Sequence, residues 1–154
     1  FMTREHLLKM RDRGLAWTPT FCPVHFQWAQ PDAVGWSANT VGNLRRILDG
    51  HAEQVRLADE LGVTLLLGTD AGSMGVVHGQ ALAEEADRFQ EAGLGADAVL
   101  RAATSAARRH FGLPQPRLAV GAPWEAVALA ASPFRTEKLA QALGRVEGIW
   151  LAPP

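Results

Sequence analysis

The segment Leu67-Gly68-Thr69-Asp70-Ala71-Gly72 puts a carboxylate directly after an apolar run and between two glycines. If that run is a buried strand of a parallel α/β fold, its carboxyl end is where active sites sit, because the loops there are free to vary. Gly68 and Gly72 allow the backbone to turn sharply and a ligand to approach closely. An aspartate so placed can ligate a metal, act as a general base, or do both. The plainer reading is an Asp that caps the next helix or closes an Asx-turn. Spacing alone leaves the two readings open.

Of the five histidines, His25 could face a cleft at such a strand end, and His78 opens the helix after Asp70 or ends its loop. His25 follows Pro23 in a loop after an earlier strand. His6 has mostly polar neighbours and is expected at the surface. His51 falls on an apolar helical stripe, where a hydrogen-bonded packing role is expected, and His110 ends a helix after Arg108 and Arg109, where the dipole favours cations. No His-x-His or His-Glu-x-x-His occurs, so this sequence by itself builds no catalytic zinc site, which takes at least three protein ligands. Other chemistries find less support. Ser73, Ser105 and Ser132 stand outside Gly-x-Ser-x-Gly elbows, and Cys22 with His25 is a faint thiol–imidazole pairing beside a packing role. No phosphate-binding or dinucleotide fingerprint is present. A single Asp-Ala-Gly in an α/β pattern does not make an aspartic protease. Arg101, Arg108 and Arg109 read as one solvated helix face.

The elements that must hold Asp70 follow from periodicity. Thr3 is a plausible N-cap of a first helix that Gly14 terminates. Leu15–Phe21 has strand composition, with Pro19 ending its ladder. Residues 22–38 show no period and read as a long loop. A helix over Asn39–Leu61 carries Leu44, Ile47, Leu48, His51, Val55 and Ala58 on one stripe. Val63–Leu67 is a nearly unbroken apolar run, as in strands buried on both faces. Strand, helix, strand in this order is a βαβ unit with parallel strands. Helices over Gly79–Ala92 and Ala96–Phe111 follow, broken at Gly93-Leu94-Gly95. Beyond Pro116 come two short strands, Ala126–Ala131 and Val146–Leu151, around a helix at Thr136–Leu143. The spacing therefore divides the chain into residues 1–115 and a β-containing appendage, 116–154.

Composition bounds the function. The chain has 154 residues, 47% of them hydrophobic and 20% charged, enough for one globular domain with a sizeable core. Fifteen Lys+Arg against sixteen Asp+Glu give a net charge of −1. Without a basic cluster, neither nucleic acid nor an anionic membrane is an expected partner. One cysteine excludes an internal disulfide framework, and the expected location is cytoplasmic. The sequence opens on Phe1 without signal-peptide character, and reads as a piece of something longer.

Taken in order, Leu66-Leu67-Gly68-Thr69-Asp70-Ala71-Gly72, His78-Gly79, Glu84-Glu85, Glu91-Ala92-Gly93-Leu94 and Leu100-Arg101-Ala102-Ala103-Thr104 with Ala107 resemble the amidohydrolase superfamily. The likeness is to its imidazolonepropionase-like and prolidase-like members. Met10, Gly14 and Trp17-Thr18-Pro19-Thr20 resemble the preceding segment, where the family's seventh strand carries a Pro-Thr pair. The match runs from about Thr3 to Leu113, and the ordered set is more specific than any piece.

The resemblance implies the C-terminal portion, about the last two βα units, of a (β/α)8 TIM-type barrel, with Leu15–Phe21 as the seventh strand and Val63–Leu67 as the eighth. It implies Asp70 as the eighth-strand aspartate that contacts metal and handles the proton in hydrolysis of a C–N bond of amide, lactam or ureido type. One or two divalent metal ions are implied for the complete enzyme, zinc foremost. His78 and His25 would lie over the mouth and touch a small-molecule substrate. The family's other ligands, its first-strand His-x-His, fourth-strand Lys or Glu and later histidines, would precede Phe1. The partner so implied is a missing N-terminal barrel segment or a second chain, and the chain alone is expected to be inactive. The appendage resembles the family's C-terminal strands, the remnant of a composite β-sandwich, with Gly121-Ala122-Pro123-Trp124-Glu125 where Gly-x-x-Ala-Asp is usual. Two alternatives remain: a non-catalytic barrel remnant serving assembly or binding, and an independent small hydrolase using Asp70 and His78.

Overall fold

A computed structural model describes residues 2–115, 117, 119–122 and 125–151. Pro116, where the sequence places its boundary, and the pair Pro123-Trp124 lie outside the described residues. Helix α1 (Arg4–Asp12) begins at Thr3, whose hydroxyl accepts the His6 amide while the His6 ring accepts the Thr3 amide. His6 thus completes a capping box rather than serving only as surface. Gly14, at φ +63°, turns the chain into β1 (Ala16–Trp17). Helix α4 (Ala38–Glu60) then crosses to β2 (Thr64–Leu65).

β1 and β2 pair in parallel, Ala16 opposite Thr64 and Trp17 opposite Leu65, as the βαβ pattern requires. Both strands are shorter than their apolar runs. Past Trp17 the chain meets Pro19, which has no N–H to donate. Past Leu65 the chain is passed to a helix: the Leu66 amide still donates to Trp17, but the Leu67 amide donates to Ala102. Val63, Leu65 and Leu66 are buried while Thr64 is exposed, so this strand is covered on one face only at that position.

The stretch read as a loop is instead helical: α2 spans Cys22–Ala29 and α3 Pro31–Val34. Pro23 and Pro31 stand in the first turns of these helices, where a missing N–H costs nothing. Helices this short, closed by Gly35 in the left-handed region, leave no full period to detect. After β2, α5 (Gln80–Glu91) leads to α6 (Ala96–Ala103) and α7 (Ser105–His110), which the backbone at Thr104 separates. Beyond them, β3 (Ala126–Leu129) and β4 (Val146–Trp150) form an antiparallel pair with an irregularity between Ala128 and Leu129, and α8 (Leu139–Leu143) lies between them.

One core joins these parts. Leu7, Phe21, Val55, Ala58, Leu65, Phe89, Val99 and Leu139 are buried together, so α8 contributes to the same core as the βαβ unit. The α4 stripe supplies Val55 and Ala58, whereas Ile47 is exposed. His51 packs edge-on against Phe21 and Trp17, with ring centroids 4.5 Å and 5.6 Å away. Its buried Nε2 has no hydrogen-bond partner, so the packing role holds and the expected hydrogen bond at that atom does not. Arg108 is not merely solvated, since it pairs with Glu125 at 2.8 Å and donates to the Pro114 carbonyl.

Candidate active site

Asp70 lies in the loop that runs from β2, which ends at Leu65, to α5. It is the one non-glycine residue with positive φ, +53°, among the described residues. The left-handed region penalises a Cβ by about 1–2 kcal/mol, and Asp and Asn tolerate it best. The loop holds this geometry by several bonds. The Ser73 hydroxyl donates to Asp70 Oδ2 at 2.8 Å and the Ser73 amide to the Asp70 carbonyl at 3.1 Å. Thr69 Oγ1 accepts the Ala71 amide at 3.2 Å, and the Gly72 amide donates to Val76 at 3.0 Å. The carboxylate is exposed and caps no helix, for α5 begins at Gln80 with Gly79 as its N-cap. The capping reading of Asp70 therefore does not apply.

His78 is exposed in the same loop, and its Nε2 lies 3.6 Å from where a Cβ on Gly72 would stand. His25 is placed differently. It lies half-buried on α2, with Nε2 2.8 Å from the Arg88 guanidinium and its ring 5.5 Å from that of Trp28. Burial, reinforced by the Arg88 charge, lowers its pKa. His25 and Arg88 together line two neighbouring cavities of about 310 and 550 Å³, and Asp70 and His78 line neither of these two. The loop thus brings Asp70 and Ser73 together and carries His78 near Gly72, while His25 faces a different hollow.

Sequence reasoning assigned no role of its own to Glu85, which is fully buried on α5. Its Oε1 accepts the Phe21 amide at 2.8 Å and its Oε2 the Cys22 amide at 2.9 Å, so a distant carboxylate caps α2. Burial raises its pKa, against the lowering effect of these bonds and of Arg88. Burial, with a hydrogen bond to Glu85 and the Glu85 charge adding to it, also pushes the Cys22 thiol well up, and its Sγ donates to the Ala81 carbonyl at 3.6 Å. The signal for Glu85 was available: Ala81, Glu85 and Phe89 recur at four-residue spacing, so an ionisable residue interrupts a buried stripe.

As for a metal, no group of three His, Cys, Asp or Glu side chains gathers among the described residues. Asp70 offers a single carboxylate, and His78 and His25 do not complete a ligand set with it. The described residues therefore do not fit a metal centre on their own.

No family model matches the sequence, and no curated protein matches it. Solved structures do. A prolidase complexed with N-methylphosphonate-L-proline matches with TM-score 0.74 and 20% identity, over 98% of this chain and 37% of that one. An amidohydrolase matches with TM-score 0.74 and 15% identity, over 98% and 36%. A Xaa-Pro dipeptidase with methionine bound in its active site matches with TM-score 0.77 and 21% identity, again over 98% and 36%. This chain has the fold of part of an amidohydrolase. It spans little more than a third of the length of the chains it matches. Among the described residues no helix is long and apolar enough to cross a membrane.

Proposed function

We propose that this chain is the C-terminal part of a metal-dependent hydrolase of small molecules that cleaves C–N bonds of amide, lactam or ureido type. The observation that carries the reading is Asp70, held exposed in the loop that follows β2 in a βαβ unit whose fold is shared with a prolidase and a Xaa-Pro dipeptidase. Under it, β1 and β2 are the seventh and eighth strands of a (β/α)8 barrel, and residues 116–154 form the appendage. Two strands close no barrel, and the outer edges of the β1–β2 pair are the natural place for further strands.

Asp70 moves the proton in this reading. Ser73 occupies Oδ2 and orients the carboxylate, leaving Oδ1 to take a proton from the water that attacks the carbonyl. The same proton then passes to the departing nitrogen, because an amine leaves poorly until it is protonated. His78 stands in the same loop to contact substrate. His25 would reach substrate only through the hollow it shares with Arg88. Any divalent ion would take most of its ligands from outside the described residues.

Native mass spectrometry with metal analysis tests the reading, on the chain alone and mixed with the upstream barrel segment. The expected result is a metal-poor, inactive chain that gains a partner, bound divalent ions and hydrolytic activity together. A complex without metal or activity supports the non-catalytic assembly role instead. Stoichiometric metal and turnover in the isolated chain contradict both.

A further inference from the structure

We propose that Glu85 and Thr20 act as a two-step positioning relay that sets the strand end carrying Asp70. The first step is the pair of bonds from Glu85 to the Phe21 and Cys22 amides, which fixes the exit of β1 from the side of α5. The second is the adjoining residue, Thr20, whose hydroxyl donates across to the Gly68 carbonyl at 3.0 Å. Gly68 is two residues before Asp70, and next to it Thr69 accepts the Ala71 amide. The two strand ends are in close apposition here, since a Cβ on Gly68 would stand 2.5 Å from Thr18 Cγ2. A displacement of the β1 exit is therefore passed to the Asp70 loop instead of being absorbed.

A purely structural cap for α2 would not need this arrangement. A Ser, Thr or Asp at the N-cap would satisfy an orphan amide locally, without burying a charge. Phe21 occupies that position and offers no side-chain cap, so the structure reaches across to α5 for a fully buried carboxylate. What the longer route adds is a rigid tie between the element that follows Asp70 and the strand beside it. That Asp70 is the residue worth positioning rests on the proposed hydrolase reading. The mechanical coupling itself does not.

Amide shifts of the ¹⁵N-labelled full chain test the coupling without recourse to activity. Glu85→Gln is expected to move the amides of Phe21 and Cys22 and also those of Gly68, Thr69, Asp70 and Ala71. In a Thr20→Val background the effect on residues 68–71 is lost while that on Phe21 and Cys22 persists, and Thr20→Ser restores it. Effects on residues 68–71 that are absent in the wild-type background, or equal in the Val background, overturn the relay. If Glu85→Gln does not fold, Glu85→Asp replaces it; its effect on residues 68–71 is expected to vanish in the Thr20→Val background, and an effect equal in both backgrounds overturns the relay. A chain that shows the coupling but, once completed, hydrolyses nothing refutes the enzyme reading alone.

Discussion

Replacing His51 by Phe should stabilise the protein, and by more at mildly acid pH than at pH 8. The ring sits between Phe21 and Trp17 in edge-to-face contacts that a phenyl ring can reproduce. What Phe removes is the buried Nε2 that lacks a partner. An unsatisfied buried polar group costs about 1–3 kcal/mol, and the slightly larger phenyl ring gives back part of that gain. A net gain of about 1 kcal/mol at pH 8 is therefore expected. Burial lowers the His51 pKa below the ordinary value of 6.5. Below 6.5 the unfolded chain takes up a proton that the folded chain does not, so wild-type stability falls as pH drops through that value towards the folded pKa. One pH unit under the ordinary value, the loss approaches a ceiling of about 1.4 kcal/mol. His25 shifts in the same direction but is common to both proteins, so it cancels in the comparison. Urea unfolding at pH 8 and pH 5.5, followed by tryptophan fluorescence, reads both quantities. A stability gap that stays constant between the two pH values, or a variant weaker at both, would refute the reasoning.

Two further outcomes follow from packing. Gly75→Ala would place a Cβ 2.2 Å from the Phe26 ring at φ +75°, so the loop after Asp70 should be displaced and stability lowered by roughly 1–3 kcal/mol, read by thermal unfolding. Leu139→Ala should cost about 2–5 kcal/mol in urea unfolding, because Leu139 is fully buried in the shared core. A cost below about 0.5 kcal/mol would mean that α8 does not contribute to that core.

The parts of the fold legible in the sequence are those with uninterrupted patterns. The run Val63–Leu67 and the α4 stripe specified a parallel βαβ unit, and Thr3 and Gly14 bounded α1. α2 and α3 were hidden because each is too short to show a period, and Pro23 and Pro31 serve as helix starts, where the missing N–H is one that no helix needs. The strands came out short because Pro19 lacks a donor and because Leu67 bonds to α6, a tertiary contact that local pattern does not encode. At the site, the flanking glycines pointed to Asp70, but its left-handed backbone and its bond to Ser73 are features of the folded loop. His25 lies on α2 and is bonded to Arg88, a partner distant in sequence. The α5 side chains were the least legible. Besides Glu85 on α2, Asp87 and Gln90 accept the Ala140 and Leu139 amides at the start of α8, and all these bonds are long-range.

The most direct test is hydrolysis of a panel of Xaa-Pro dipeptides, lactams and ureido compounds by the protein completed with its upstream segment, wild type against Asp70→Asn. Asn tolerates the left-handed backbone and can still accept the Ser73 hydroxyl, so the fold should be unchanged by circular dichroism and thermal unfolding. Turnover should fall by about 10²–10⁴-fold, as expected when a proton-transfer group is lost. Near-normal turnover in a folded Asp70→Asn protein would remove Asp70 from the chemistry, and no turnover by the completed wild-type protein would contradict the proposed function itself.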